Sequence, residues 1–131
     1  MDVVGIPAIW PDEIMPASSF LILDANTQRV ARAFMGRVSQ RYAVERAILF
    51  GSRARNTHTT ESDADIAVVL NGPRGKRSTA AIDMAGIAFD VMLETGILVE
   101  ALPLWDGEME HPEQFSNPGL IYAIQRDGVA L

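Results

Sequence analysis

Residues 43–70 read AVERAILFGSRARNTHTTESDADIAVVL, and this stretch decides the fold of the chain. Short apolar runs stand at its two ends, 43–50 and 63–70, and each has the length and composition of a buried β-strand. Between them, residues 51–62 are mainly glycine, hydroxyl and cationic residues, which are typical of a turn. The stretch therefore predicts two neighbouring strands joined by a polar loop.

Patterns outside this stretch predict three helices and one further strand. The predicted helices span 27–42, 78–96 and 117–128. Asn26 or Thr27 would cap the first of them, and Pro118 would stand in the first turn of the last. Residues 97–105 read ILVEALPLW and predict a third strand. Pro103 favours an edge of the sheet for this strand, because proline has no N–H to donate.

These elements predict one domain of the α/β (α+β) class, with a short mixed β-sheet and helices packed on it. A chain of 131 residues with 48% hydrophobic residues has enough apolar material for one compact core. Within a single domain over 1–131, we expect an extended N-terminal arm at 1–25, where three prolines restrict the backbone. The motif-bearing core lies at 43–105, and a C-terminal acidic loop and helix occupy 106–131.

Composition argues against several classes of function. The formal net charge of -6 disfavours nonspecific DNA binding, which depends on a basic face. The absence of cysteine excludes disulfides, thiolate metal sites and a cysteine nucleophile, and it suits a reducing compartment. The sequence shows neither a secretory signal nor a run of about 20 apolar residues, because charges or prolines interrupt each candidate. We therefore expect a cytoplasmic protein that does not enter the membrane.

Two aspartates at the start of the second predicted strand are candidate metal ligands. Alternate side chains of a strand share a face, so Asp63 and Asp65 point the same way. The side chains expected on the opposite, buried face are Ile66, Val68 and Leu70. Two close carboxylates repel each other unless a cation neutralises them, and their oxygens suit Mg²⁺ or Mn²⁺. The spacing favours a metal site, with a pair of simple turn caps as the alternative.

The loop before these aspartates has the composition of a phosphate-binding turn. Gly51 leaves room for a phosphate to approach the backbone, and Ser52 offers a hydroxyl donor. Arg53 and Arg55 add guanidinium groups that are able to hold a triphosphate. The alternative for Arg53 is a surface ion pair with a nearby carboxylate. Carboxylates, turn and arginines together indicate nucleotidyl transfer.

The segment GSRARNTHTTESDADIAVVL resembles the signature of the DNA polymerase beta superfamily of nucleotidyltransferases, in the compact form called minimal nucleotidyltransferases. The resemblance covers about 43–105. It implies that Asp63 and Asp65 bind the metal ions and that a third carboxylate follows on the next strand, where Glu100 stands instead of the usual aspartate. The alternative for Glu100 is a solvated position on an edge strand. Asn56 stands where these short proteins often have glycine, and asparagine tolerates the left-handed conformation.

The resemblance also implies an activity and a partner. Members of this superfamily transfer a nucleoside monophosphate, most often AMP from ATP, to an acceptor hydroxyl in a metal-dependent reaction that releases pyrophosphate. Many minimal nucleotidyltransferases resemble the antitoxin of a toxin–antitoxin pair whose toxin is a HEPN-domain ribonuclease. We therefore expect an ATP-dependent enzyme that modifies a partner protein or RNA. Homo-oligomerisation is left open.

Two other functions are open from the sequence. The same fold without catalysis would be a binding module that blocks its partner through the acidic segment 106–116. Such an inhibitor would bind without ATP and would tolerate loss of Asp63 or Asp65. A small-molecule transferase, for example one acting on an aminoglycoside, would need a second pocket wall that this short chain does not supply alone.

Other conspicuous residues receive no catalytic role. The second predicted helix carries an apolar run of Ile82, Phe89 and Leu93, with Asp90 only imperfectly opposite to it. His58 stands in a run of threonines without a second histidine nearby, so it is interpreted as a polar loop residue.

Overall fold

A computed structural model describes residues 20–131 of the chain, and the arm predicted at 1–25 lies mostly outside this range. Its helices are α1 (Ala25–Val38), α2 (Ser52–Arg55), α3 (Arg77–Thr95), α4 (Asp106–Glu110) and α5 (Pro118–Asp127). Its strands are β1 (Val44–Phe50), β2 (Ala64–Leu70), β3 (Val99–Trp105) and β4 (Val129–Ala130). In the part of the chain so described, every helix falls short of the length and apolarity needed to cross a membrane.

The strands form one sheet in the order β3–β2–β1–β4. β1 is antiparallel to β2 and to β4, whereas β2 and β3 are parallel. The predicted mixed sheet is thus confirmed, and β3 lies at an edge, as the position of Pro103 indicated. β4 was not predicted, because two residues are too few to give a strand pattern.

Helices α1 and α3 pack on one face of the sheet and enclose the larger core. Val30, Phe34 and Val38 of α1 recur at intervals of four, as predicted, and each has no exposed surface. They pack with alternate residues of the long strands, among them Leu49, Ile66, Val68 and Val99. The apolar side of α1, set by the helical period, therefore packs on the apolar side of the sheet, set by alternation along each strand.

The opposite face of the sheet is covered by α5. Ile121 and Ile124 of this helix pack with Ile48, Ala67 and Val69 in a second core. Ala67 and Val69 alternate with Asp65, so the strand face that carries the aspartate is buried further along β2. Burial had been predicted for the other face alone. Coverage on both faces explains why the end of β2 is a continuous apolar run rather than an alternating one.

The ends of two helices differ from the predicted ones. Asp24, and neither Asn26 nor Thr27, caps α1, because its Oδ1 accepts a hydrogen bond from the Thr27 N–H at 2.7 Å. α3 begins slightly earlier than predicted and ends at Gly96 as predicted. Gly96 has a φ of 81°, the left-handed conformation that closes many helices.

Helix α3 is apolar on two opposite sides. Its core side consists of Ala80, Met84, Ile87, Ala88 and Val91. The run of Ile82, Phe89 and Leu93 does not face the core, since 73%, 52% and 70% of these residues' surfaces are exposed. A helix with this pattern presents an apolar surface to solvent.

Candidate active site

The turn between β1 and β2 is shaped by Gly51. Its φ of 74° lies in the left-handed region that favours glycine. A Cβ built on Gly51 would lie 2.2 Å from Asp65 Oδ2, so only a hydrogen fits between the turn and this carboxylate. Ser52 then begins α2, and Asn56 closes α2 with a φ of 60°, the conformation that asparagine was expected to tolerate. Gly51 thus brings the backbone of the turn directly against Asp65.

Carboxylates from adjacent strands meet beside this turn. In the parallel pairing of β2 and β3, Asp65 lies opposite Glu100. Asp63 directly precedes β2, and Phe50 at the end of β1 pairs with Asp65 from the other side. The structure therefore brings the three carboxylates singled out from the sequence to one edge of the sheet, next to the glycine turn.

The crowding of these carboxylates raises their affinity for protons. A side-chain hydrogen bond with Asp63 raises the pKa of Glu100, and burial and the charges of Asp65 and Asp63 raise it further. Burial raises the pKa of Asp65, the charge of Asp63 adds to the rise, and the Arg55 guanidinium opposes it. Both Asp65 and Glu100 are therefore harder to ionise than an isolated carboxyl group.

The chemistry of these side chains suits a hard divalent cation. Carboxylate oxygens are ligands that Mg²⁺ and Mn²⁺ prefer, and a cation would offset the repulsion that contributes to the raised pKa of Asp65 and of Glu100. Over residues 20–131, no three acidic or histidine side chains are arranged closely enough to form a metal-holding group. The metal-ligand role of Asp63, Asp65 and Glu100 stays a prediction, supported by their common edge and by their mutual effect on pKa.

We expect Glu100→Gln to stabilise the metal-free protein at neutral pH. Because the pKa of Glu100 is raised in the folded state, the fold favours the protonated acid. That contribution to stability is present below the ordinary glutamate pKa and is lost as the pH rises through the raised pKa. The neutral amide avoids this loss. The gain should be no more than about 0.5 kcal/mol, because solvent screens this largely exposed side chain.

Urea unfolding with a chelator, at pH 4 and at pH 7.5, measures this effect. The variant and the wild type should differ at pH 7.5 and not at pH 4. Glu113→Gln, on the exposed turn before α5, is the matched control and should change neither value. A Glu100→Gln protein that is less stable than the wild type at pH 7.5 would contradict the proposed crowding.

Arg53 is buried and directed into the protein. Only 2% of its surface is exposed, and its guanidinium donates to Thr27 Oγ1 at 2.7 Å. Further hydrogen bonds reach the carbonyl oxygens of Ser62 at 3.0 Å, Thr59 at 3.4 Å and Thr60 at 3.3 Å. The nucleotide-binding role predicted for Arg53 does not fit this placement, nor does the alternative of a surface ion pair. Its position instead ties the end of the loop to the start of α1.

Arg55 is the arginine of α2 that faces the carboxylates. Its side chain is exposed, and its positive charge opposes the rise in the pKa of Asp65. The pKa of Asp127 is lowered, mainly by its hydrogen bond with Arg126. The positive charge of Arg55 lowers it further. Arg55 therefore stands near both the start of β2 and the end of α5. This placement suits the role in holding a triphosphate that was predicted for it.

A second contact ties the same loop to α1. His58 Nε2 forms a hydrogen bond with the carboxylate of Asp24, which also lies 4.0 Å from the Arg53 guanidinium. His58 had been given no role, and nothing local in the sequence pairs it with Asp24, 34 positions away. A tertiary contact of this kind follows only from the packing of α1 against the loop.

The fold and the site together define a class of protein. A mixed sheet covered by helices on both faces, with carboxylates beside a glycine turn, is a nucleotidyltransferase fold. The model of the nucleotidyltransferase domain family matches residues 31–113, which include the turn and all three carboxylates. Because this match covers more than half of the chain, the chain belongs to the nucleotidyltransferase domain family.

The chain is also similar to a solved structure. A candidate nucleotidyltransferase from Sulfolobus solfataricus is 20% identical, with 98% of this chain and 90% of that chain covered and a TM-score of 0.49. No curated protein matches the chain significantly.

Proposed function

We propose that this protein transfers a nucleoside monophosphate, AMP from ATP, to a hydroxyl group of a partner protein or RNA in a reaction that depends on Mg²⁺ or Mn²⁺. Family membership supports nucleotidyl transfer. The single observation that carries the proposal is the close approach of Gly51 to Asp65, because it sets a carboxylate against a turn whose backbone is able to cradle a phosphate.

The carboxylates have two tasks in this proposal. Asp63, Asp65 and Glu100 would hold the metal, and a divalent cation there supplies charge neutralisation for the triphosphate and lowers the pKa of the acceptor hydroxyl. Glu100 or Asp65 accepts the proton of that hydroxyl.

Ser52 and Arg55 position the triphosphate. The hydroxyl of Ser52, at the start of α2, donates to a phosphate oxygen, and the exposed guanidinium of Arg55 holds the outer phosphates. The acceptor oxygen then forms a bond with the α-phosphorus, while the bond between that phosphorus and the bridging oxygen breaks and pyrophosphate leaves. Arg55 stabilises the negative charge that moves onto the leaving group.

A partner protein supplies the acceptor. The net charge of -6 disfavours extended contact with an RNA backbone. The resemblance to minimal nucleotidyltransferases supports a HEPN-type toxin as the partner, with this chain as a cytoplasmic antitoxin that adenylylates a tyrosine hydroxyl. The net charge of -6 is consistent with a protein partner of this kind.

The alternative of an inactive binding module is less well supported. It depends on the acidic segment 106–116, in which Glu108 is only 4% exposed. The Glu108 carboxylate pairs with Arg77 and accepts a hydrogen bond from the Trp105 N–H at 3.1 Å. Part of the charge of this segment therefore serves the fold and is not available to a partner.

Isothermal titration of ATP with Mg²⁺ into the wild type and the Asp63→Asn/Asp65→Asn protein tests the proposal without an acceptor. The wild type should bind ATP only with the metal present. A change in a residue that only hydrogen-bonds a metal ligand lowers metal affinity by roughly 10–100-fold. The double variant removes two ligands, so its affinity for ATP with Mg²⁺ should fall by more than that. Asp90→Asn, on the exposed side of α3, removes a carboxylate far from the site and should bind normally. Binding that survives in the double variant would refute the metal-site assignment, and no binding in either protein would refute the enzyme reading for the isolated chain.

A further inference from the structure

The outward side of α3 is an apolar surface on which no other element of residues 20–131 packs. Ile82, Phe89 and Leu93 expose 73%, 52% and 70% of their surfaces there. Helical spacing places Gly86 in the same line, and Ala85 is exposed beside it. We call Ile82, Gly86, Phe89 and Leu93 the α3 row. Soluble monomers seldom expose a contiguous apolar patch of this kind, so the row marks a surface that another protein surface covers.

The spacing of the α3 row is the same in both directions. Successive members are four, three and four residues apart. Two antiparallel copies of α3, related by a two-fold axis through the middle of the row, therefore place Ile82 against Leu93 and Gly86 against Phe89. A Cβ on Gly86 would meet no atom within 4 Å in its own chain, so this position offers room for the Phe89 ring of the other copy. The row is complementary to itself.

The charged residues along one side of the row are compatible with the same symmetry. A two-fold axis brings equivalent edges of the two copies together, so an edge of one sign would repel its equivalent. This edge carries both signs, because Arg37 lies 2.6 Å from Glu94 and 4.0 Å from Asp90. An apolar centre with a mixed polar rim is the usual composition of a protein interface.

We propose that the α3 row is the interface of an antiparallel homodimer of this chain. The row spans about 16 Å of helix at 1.5 Å per residue, so the interface is a small one. A dissociation constant on the order of 1–100 µM is expected. α3 packs on the sheet face opposite to the one that carries the Asp65 side chain, so both carboxylate sites stay open in the dimer. The proposal does not depend on the proposed function.

Single cysteines test the pairing directly, because the sequence contains no cysteine. Full-length Ile82→Cys and Leu93→Cys proteins are oxidised mildly, first separately and then as a mixture. The mixture should form a disulfide-linked dimer. Each protein alone should form about tenfold less, because equivalent positions are about 16 Å apart along the paired helices, beyond the reach of a disulfide. Both residues are exposed, so neither change disturbs the core.

Cross-linking that is as efficient within either protein alone as in the mixture would overturn the antiparallel pairing. Absence of cross-linking in the mixture would overturn the interface.

Sedimentation equilibrium separates a specific interface from general stickiness. The wild type should change from 14.3 kDa toward twice that mass as its concentration rises. Gly86→Leu fills the space opposite Phe89 and should weaken the dimer about tenfold, although it adds apolar surface. Tyr122→Glu, on the exposed side of α5, is the control and should leave the dimer unchanged.

A dimer strengthened by Gly86→Leu would overturn the proposal. A wild type that stays monomeric at every concentration would also overturn it. That result would indicate that the α3 row contacts residues 1–19 or a different protein.

Discussion

Gly51→Ala is expected to abolish metal-dependent ATP binding while the sheet stays folded. The added Cβ would lie 2.2 Å from Asp65 Oδ2, so either the carboxylate or the turn must move. Displacement of a positioned group by about 1 Å lowers activity by about 10²-fold, and we expect a loss of at least that size in nucleotidyl transfer. The backbone of Gly51, with φ 74° and ψ -158°, is in a region open almost only to glycine, so any residue with a Cβ adds strain of about 1–3 kcal/mol.

Gly72→Ala is the matched control for this change. Gly72 also has a positive φ, 91°, but a Cβ there meets no atom within 4 Å. Both variants should stay folded in thermal unfolding, with the larger loss of stability in Gly51→Ala because of its contact with Asp65, and only Gly51→Ala should lose Mg²⁺-dependent ATP binding in calorimetry. Equal loss of binding in the two variants would mean that strain, and not the contact with Asp65, limits the site.

Arg53→Met is expected to destabilise the protein by about 2–3 kcal/mol, because it removes the charged donor from one buried and three part-buried acceptors. The acceptors are the hydroxyl of Thr27 and the carbonyl oxygens of Thr59, Thr60 and Ser62. Methionine has a similar length and fills much of the same space, so the loss reflects the hydrogen bonds more than a cavity. Urea unfolding measures the change in the free energy of unfolding.

Arg55→Met makes the same change of charge two residues further along α2. The side chain of Arg55 is exposed, so its removal should alter stability by no more than about 0.5 kcal/mol. It should weaken ATP binding by about tenfold or more, through loss of a charge-assisted contact with phosphate. The opposite pattern, with Arg53→Met stable but unable to bind ATP, would restore Arg53 as a nucleotide ligand.

Local patterns in the sequence account for most of the fold. The three long strands and three long helices were predicted because each carries its own period and its own end signals. Asn117, for instance, caps α5 through a hydrogen bond from the Leu120 N–H at 3.3 Å, and Pro118 follows in the first turn. The meeting of Asp65 with Glu100 was expected from the resemblance, which implies a third carboxylate on the following strand, whereas alternation within each strand does not set their register.

Features that depend on long-range packing were not accessible in this way. Arg53 and Arg55 are the same residue type and stand two residues apart. Arg53 is nevertheless buried, whereas Arg55 is exposed and faces the carboxylates. Their directions are set by the contact of the loop with Thr27, which no local signal reveals. For α3, the sequence offers two apolar sides, and the position of α1 and the sheet decides which of them is buried.

The two sides of the candidate site are held in place by different kinds of interaction. This difference determines which parts of the site are able to change in sequence. Asp65 and Glu100 stand on paired strands within the hydrogen-bonded sheet, where a shift of one would disturb the whole ladder. The facing loop is anchored by the side chains of Arg53 and His58. The exposed side chains just after those anchors, at 59–61, are therefore free to vary, because Arg53 contacts only backbone oxygens there. Exchange of this short surface segment would let the protein accept new substrates, while the carboxylates on the paired strands stay unchanged.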